Sequence, residues 1–154
     1  FKNFVFPIIL KSLFCNYMLL GEGAIERKIF ELYMLKYGSN MEKKDIDYAI
    51  VDGKIFFPII ISVLNKIGVK ALTLYDLDAE NQPEHKYLNK TIEDISTTTI
   101  SFKPKIENCL EITKDMTGDK YRGLIILINQ FYLNGNTKLY ELLEEINNKF
   151  EEIK

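Results

Sequence analysis

The stretch KALTLYDLDAE, residues 70–80, runs an apolar, strand-like segment into two acids one residue apart, Asp76 and Asp78. Strand side chains alternate between faces, so residues two apart point the same way, about 7 Å from each other, and both carboxylates would face one place. Another acidic pair stands earlier: Glu22 lies between Gly21 and Gly23, and Glu26 follows four residues later, one helical turn along the same side. Like charges brought this close hold on to protons unless a cation neutralises them. A hard divalent ion with oxygen ligands does so, and Mg²⁺ in particular keeps waters and takes only a few carboxylates.

Each acid also has an ordinary reading. A glutamate in the first turn of a helix is favoured by the helix dipole alone, which is enough to explain Glu26 taken singly. Asp76 and Asp78 alone read as loop acids that begin a turn. It is the ordered set that points to a site, and it does so only if the fold brings the first and third strands side by side.

The elements that must do this follow from the periodicity. Tyr17–Leu20 is a short apolar run that suits a strand buried on both faces. Ala24–Tyr37 carries Ile25, Ile29, Leu32, Tyr33 and Leu35 at helical spacing, with Gly38 placed as a stop. Asp47–Val51 reads as the next strand and Asp52-Gly53 as a turn. Phe56–Ile67 reads as a helix with Pro58 in its first turn and Gly68 as its stop, and Val69–Tyr75 as the third strand. A helix near Tyr87–Ile95 and a strand at Thr97–Phe102 are expected next. The helices Tyr121–Leu133 and Thr137–Ile153 close the chain, the last with Leu139, Leu142, Leu143, Ile146, Phe150 and Ile153 on one face. Strands alternating with helices imply an α/β fold, a mainly parallel sheet of about four strands flanked by helices, with ligands gathered at the carboxyl ends of the strands.

At 154 residues the chain is long enough for one compact domain and too short for two ordinary ones. Its formal charge of −2 carries no global basic field that would announce a nucleic-acid partner. Cys15 and Cys109 form no C-x-x-C pair, so neither zinc nor a disulfide framework is indicated, and a reducing, cytoplasmic setting is expected. The N-terminal FVFPIILKSLFCNYMLL is interrupted by Pro7, Lys11 and Asn16, which argues against a signal peptide or membrane span and for a short helix before a buried strand. No initiator Met precedes Phe1, so the chain is expected to be excised from something longer.

The segments MLLGEGAIERKIF and VDGKIFFPIIISVLNKIGVKALTLYDLD together resemble the TOPRIM domain shared by topoisomerases, primases and certain nucleases. The closer resemblance is to the TOPRIM half of overcoming-lysogenization-defect (OLD) family nucleases, and it covers about residues 12–125. It implies a Rossmann-like TOPRIM fold and a Mg²⁺- or Mn²⁺-dependent endonuclease acting on DNA in phage defence, with one or two ions. By the same resemblance Glu22, Glu26, Asp76 and Asp78 are metal ligands, and Glu107 in FKPKIENCL is a further one. Glu22 and Asp76 also act in catalysis, and Lys120 in TGDKYRG stabilises the transition state. Lys120 has an oddity of its own, because Asp119 reads as an N-cap and would put a cation in the first turn, against the helix dipole.

The sequence departs from the family pattern at Gly21, where a small apolar residue is usual, and this is expected to loosen the turn. No G-x-x-x-x-G-K-[ST] occurs in these residues, so the ATPase half of OLD proteins is not among them; the chain is expected to be either the excised C-terminal portion of a longer protein or a stand-alone TOPRIM protein, with an ATPase domain or protein as its partner. The alternative to a nuclease is a non-catalytic TOPRIM module that docks to such an ATPase. A primase or topoisomerase has no tyrosine nucleophile domain or zinc ribbon here to support it. Haloacid-dehalogenase-like phosphatases need their acidic motif early and followed by Gly-Thr, and glycosyltransferases need a far larger domain. No membrane partner is expected, and self-association stays open. His85 reads as a surface residue in a polar loop, and Lys54, opening a helix, as either a phosphate contact or a solvated lysine.

Overall fold

A computed structural model of the chain describes residues 2–78, 82–112, 120–132 and 137–153. In order they form α1 (Lys2–Ser12), β1 (Tyr17–Gly21), α2 (Ala24–Lys44) and β2 (Ile46–Ile50). A 3-10 turn (Lys54–Phe56) then leads into α3 (Phe57–Lys66), followed by β3 (Lys70–Asp76), α4 (Pro83–Ile95) and β4 (Thr98–Phe102). Short α5 (Ile106–Cys109), α6 (Lys120–Tyr132) and α7 (Thr137–Glu152) complete the described chain. The strands make one parallel sheet in the order β2-β1-β3-β4, so β1 and β3 are neighbours, with Leu20 opposite Thr73. This is the α/β architecture of a TOPRIM fold.

Burial on both faces explains why β1 and β3 are largely apolar. Leu19, Leu72 and Leu74 bury against Phe30 and Tyr33 of α2, Leu127 of α6 and Leu143, Ile146 and Phe150 of α7. Met18, Leu20, Ala71 and Tyr75 point the other way, into Phe57, Ile60, Ile61 and Leu64 of α3 and Ile92 of α4. A parallel sheet covered on both faces leaves no position on its central strands for a polar residue without a partner. Thr73, wholly buried, meets this demand through Ser96, its Oγ1 2.9 Å from the Ser96 hydroxyl. The apolar stripe of α7 is buried as its spacing requires, Leu139, Leu143 and Ile146 completely.

Two predicted boundaries differ by more than one residue. Gly38 does not end α2: the backbone leaves helical geometry at Tyr37 (φ −122°, ψ 15°), and a helical path then resumes to Lys44. A glycine inside a helix costs only about 1 kcal/mol, so it marks a kink here and not a stop. Helix α4 starts at Pro83, four residues before the predicted Tyr87, because proline's fixed φ suits the first helical turn. Among the described residues no helix is long and apolar enough to cross a membrane.

Candidate active site

Parallel strands deliver their carboxyl ends to one edge of the sheet. Gly21, Ile50, Asp76 and Phe102 end β1, β2, β3 and β4 there. Glu22 is the next residue after β1, and α2 begins two residues later, which puts Glu26 in its first turn. A Cβ on Gly21 would lie 2.5 Å from the Glu26 Cβ and 2.9 Å from Phe30 Cε2. Gly21 therefore does not loosen the turn, as its departure from the family pattern suggested, but lets α2 close down on the end of β1. Replacing it, Gly21→Ala, is expected to cost about 1–3 kcal/mol of stability by overpacking, read as a lower midpoint in urea unfolding.

Glu26 is buried, 4% exposed, and its Oε2 accepts the Gly23 N–H at 3.0 Å. That contact is the glutamate half of a capping box, so the structural role of Glu26 is present whatever else the residue does. Asp76 ends β3 on the same side of the sheet as Leu72 and Leu74, facing α2 and α5. Its Oδ1 accepts the Ile106 N–H at 2.8 Å.

Asp78 does not share that direction, which corrects the expectation that the two aspartates point the same way. β3 stops at Asp76, and Asp78 has a positive φ of 53° that turns the chain out of strand geometry. Aspartate tolerates this left-handed conformation better than most residues. The Leu77 and Asp78 N–H groups donate to the carbonyls of Phe102 (2.8 Å) and Pro104 (3.1 Å), fixing the bend. The Asp78 carboxylate then accepts from Lys54 Nζ at 3.1 Å, on the α3 and α4 side.

Lys54 corrects a second expectation. It is only 6% exposed and neither solvated nor open to a phosphate: besides Asp78, its ammonium donates to the Asp76 carbonyl oxygen and lies 5.4 Å from the centre of the Tyr75 ring. The sequence hint was the turn Asp52-Gly53, since Gly53 adopts φ 128°, a conformation side chains rarely allow, and turns the next residue under the strand ends. His85 corrects a third. It sits in the first turn of α4, not in a loop, half-buried, with Nδ1 3.7 Å from the Asp78 carboxylate and without a hydrogen-bond partner.

Glu107 lies in the first turn of α5, a helix anchored by buried Ile106, and its Oε2 is enclosed without a partner. The acids act on one another. Burial pushes the Asp76 carboxyl up to about 7, helped by the charges of Glu107, Glu22 and Asp78 against the Ile106 N–H. Burial likewise pushes Glu26 up to about 7, with Asp76 and Glu22 adding to it and the Gly23 N–H opposing. Glu22 is raised by burial and by Asp78, opposed by the Lys54 amide and charge and by Lys105. The structure thus gathers Glu22, Glu26, Asp76, Asp78 and Glu107 into one electrostatic neighbourhood. Lys120 opens α6, and its side chain, like Asp119, lies outside the described residues.

The donors fit a hard divalent cation in kind: they are carboxylate oxygens, held at high cost as anions, and one of them, Glu107 Oε2, is unpartnered. Among the described residues no three metal-capable side chains converge on one point as they stand. The acids divide instead, Glu26, Asp76 and Glu107 towards α2 and α5, Asp78 towards Lys54.

No curated protein and no solved structure matches the chain. A family model does, over residues 13–78, which takes in Glu22, Glu26, Lys54, Asp76 and Asp78 and leaves Glu107 and Lys120 beyond it. Its description is overcoming lysogenization defect protein-like, TOPRIM domain, and with the parallel sheet and the acids at its edge it supports a TOPRIM domain of the OLD family over those residues.

Proposed function

We propose that this domain is a Mg²⁺- or Mn²⁺-dependent endonuclease that hydrolyses phosphodiester bonds in DNA. An OLD-like TOPRIM domain implies a nuclease-type or metal-binding module. The observation that carries the finer reading is the cost the fold accepts at one edge: half-buried Asp76 and buried Glu26 sit among other acids, and their carboxyls are pushed up to about 7. Groups tuned to neutrality by burial and like charge are characteristic of functional sites.

Asp76, Glu22, Glu26 and Glu107 would hold the ion, with Asp78 at the far side. When bound, a divalent ion supplies a water that deprotonates near neutral pH and draws charge from the phosphate. The Ile106 N–H holds one oxygen of the Asp76 carboxylate before anything binds. Glu22, raised by burial and by the charge of Asp78, would serve as a proton acceptor. Lys120, assigned by family resemblance, would balance charge building on the phosphate. The competing reading is a non-catalytic module that docks to an ATPase.

Nicking of supercoiled plasmid separates them. With Mn²⁺ or Mg²⁺ we expect nicking that EDTA abolishes and that Glu22→Gln reduces by about 10²-fold or more, the usual worth of a positioned acid or base. Nicking that ignores EDTA, or none under any condition, would count for the module.

A further inference from the structure

We propose that the open edge of β4 docks an extended polypeptide segment of a partner protein, which joins the sheet as a fifth strand and carries lysine or arginine on the side facing α7. The inference stands apart from the nuclease reading, since it uses none of the acids at the strand ends.

The two outer strands of the sheet, β2 and β4, end it differently. The Val51 N–H goes to Gly21 of β1, so alternation turns the backbone groups of Tyr48 away from β1, towards solvent. There the Tyr48 N–H donates to the Asp47 carboxylate at 2.7 Å and the Lys11 ammonium donates to the Tyr48 carbonyl at 2.8 Å. Lys11 is itself paired with Asp47 at 2.7 Å. A charged clamp of this kind keeps another strand from pairing with an edge. β4 has none. The Phe102 carbonyl accepts the Leu77 N–H on the β3 side, so by the same alternation Thr99 and Ser101 turn their N–H and C=O groups outward. Among the described residues no hydrogen bond reaches those backbone groups. Donors and acceptors in that alternation are what an added strand pairs with.

The surroundings of that edge define the chemistry of the partner. A groove of about 650 Å³ lies between β4 and α7, with Leu142 and Cys109 among its lining and Glu141 and Glu145 exposed along it. The lysines of the groove are engaged, Lys138 with Glu111 at 2.6 Å and Lys149 with Glu152 at 3.2 Å. Among the described residues no ion pair reaches Glu141 or Glu145, and Glu141 acts on Lys138 only as a more distant charge. A strand residue seated under α7 therefore meets Leu142 with its stem and two carboxylates with its end, which suits lysine or arginine. The same carboxylates repel a nucleic-acid backbone. A second copy of the chain fits worse, because pairing β4 with itself about a twofold axis sets one acidic α7 face against the other.

The test titrates the intact chain with fluorescent synthetic peptides of about seven residues, the length of a short strand, followed by anisotropy at low salt. The probes are alternating lysine and valine, alternating glutamate and valine, and the lysine peptide methylated on its backbone nitrogens. The lysine peptide is expected to bind. The methylated one, with its charge kept and its donors removed, should bind at least about tenfold more weakly, and the glutamate peptide more weakly still. The surface pair Glu141→Gln and Glu145→Gln should weaken the lysine peptide by about three- to tenfold. Bound peptide should also slow hydrogen exchange at the Thr99 and Ser101 amides by about tenfold or more. A lysine peptide that does not bind, that binds equally well when methylated, or that leaves those two amides exchanging freely overturns the proposal. So does a dimer in sedimentation that protects the same amides without any peptide, which would give the edge to a second copy.

Discussion

Asp76→Asn is expected to make the metal-free protein more stable while abolishing its metal-dependent nicking. Asparagine keeps the oxygen that accepts the Ile106 N–H, so the hydrogen bond at 2.8 Å survives the change. What disappears is a negative charge that burial, Glu107, Glu22 and Asp78 all oppose, strongly enough to push the carboxyl up to about 7. Discounted for partial exposure, relief of that opposition is of the order of 1 kcal/mol at pH 8, which for a chain of this size raises the melting temperature by roughly 2–4 °C. Nicking should fall by about 10³-fold, since the ion loses its best-oriented ligand and the variant cannot supply the charge. A substitution that stabilises and inactivates together marks a residue kept for function at a cost in stability. If instead the melting temperature drops and nicking persists, Asp76 is a structural acid held by its hydrogen bond, and the edge of the sheet is not a metal site.

How far the site could be read from the sequence depends on which physical rule governs each residue. Burial on both faces forces β1 and β3 to be largely apolar, so the points where polarity begins, Glu22 and Asp76, stand out without any knowledge of the fold. The neighbouring placement of those two strands then follows from a parallel α/β order, and the structure has it. Asp78 was misread because the alternation of a strand was carried two residues past the strand, into a left-handed turn that no periodicity announces. Lys54 was out of reach for a different reason. Nothing within its own segment says whether a lysine after a glycine turn meets water or a buried aspartate; that is decided by α3 and β3 packing together. His85 was lost through a boundary, since starting α4 at Tyr87 and not at Pro83 left it in a loop where no direction could be assigned. Gly21 shows the reverse case, a departure from a family pattern that reads as loss in the sequence and as close approach in three dimensions.

The pH dependence of the metal-free protein gives the second large effect, and its sign is opposite to the usual one. Most acids in folded proteins gain partners, so their carboxyls titrate lower than in the unfolded chain and stability rises with pH through the acid range. Here Glu26 moves from 4.5 to about 7 and Asp76 from 3.8 to about 7 on folding, so between those limits the folded state binds more protons than the unfolded one. Stability then falls as pH rises from about 4 to 7 and levels off above it. For Glu26 alone, 4% exposed, the upper limit of the loss is about 3 kcal/mol, and its capping contact to Gly23 persists throughout because either protonation state leaves an oxygen to accept. Divalent metal reverses the trend, since the ligands must give up their protons to bind it, and Mn²⁺ affinity should climb by up to about tenfold per pH unit over the same window for each proton displaced. Thermal melts from pH 4.5 to 8.5, in EDTA and in Mn²⁺, would therefore diverge: the two coincide at the acid end, and towards neutrality the EDTA curve declines while the stabilisation by Mn²⁺ grows. An EDTA curve that rises smoothly through that range would mean that these acids are ordinary solvated carboxylates, and that the fold carries no stored charge for a metal ion to relieve.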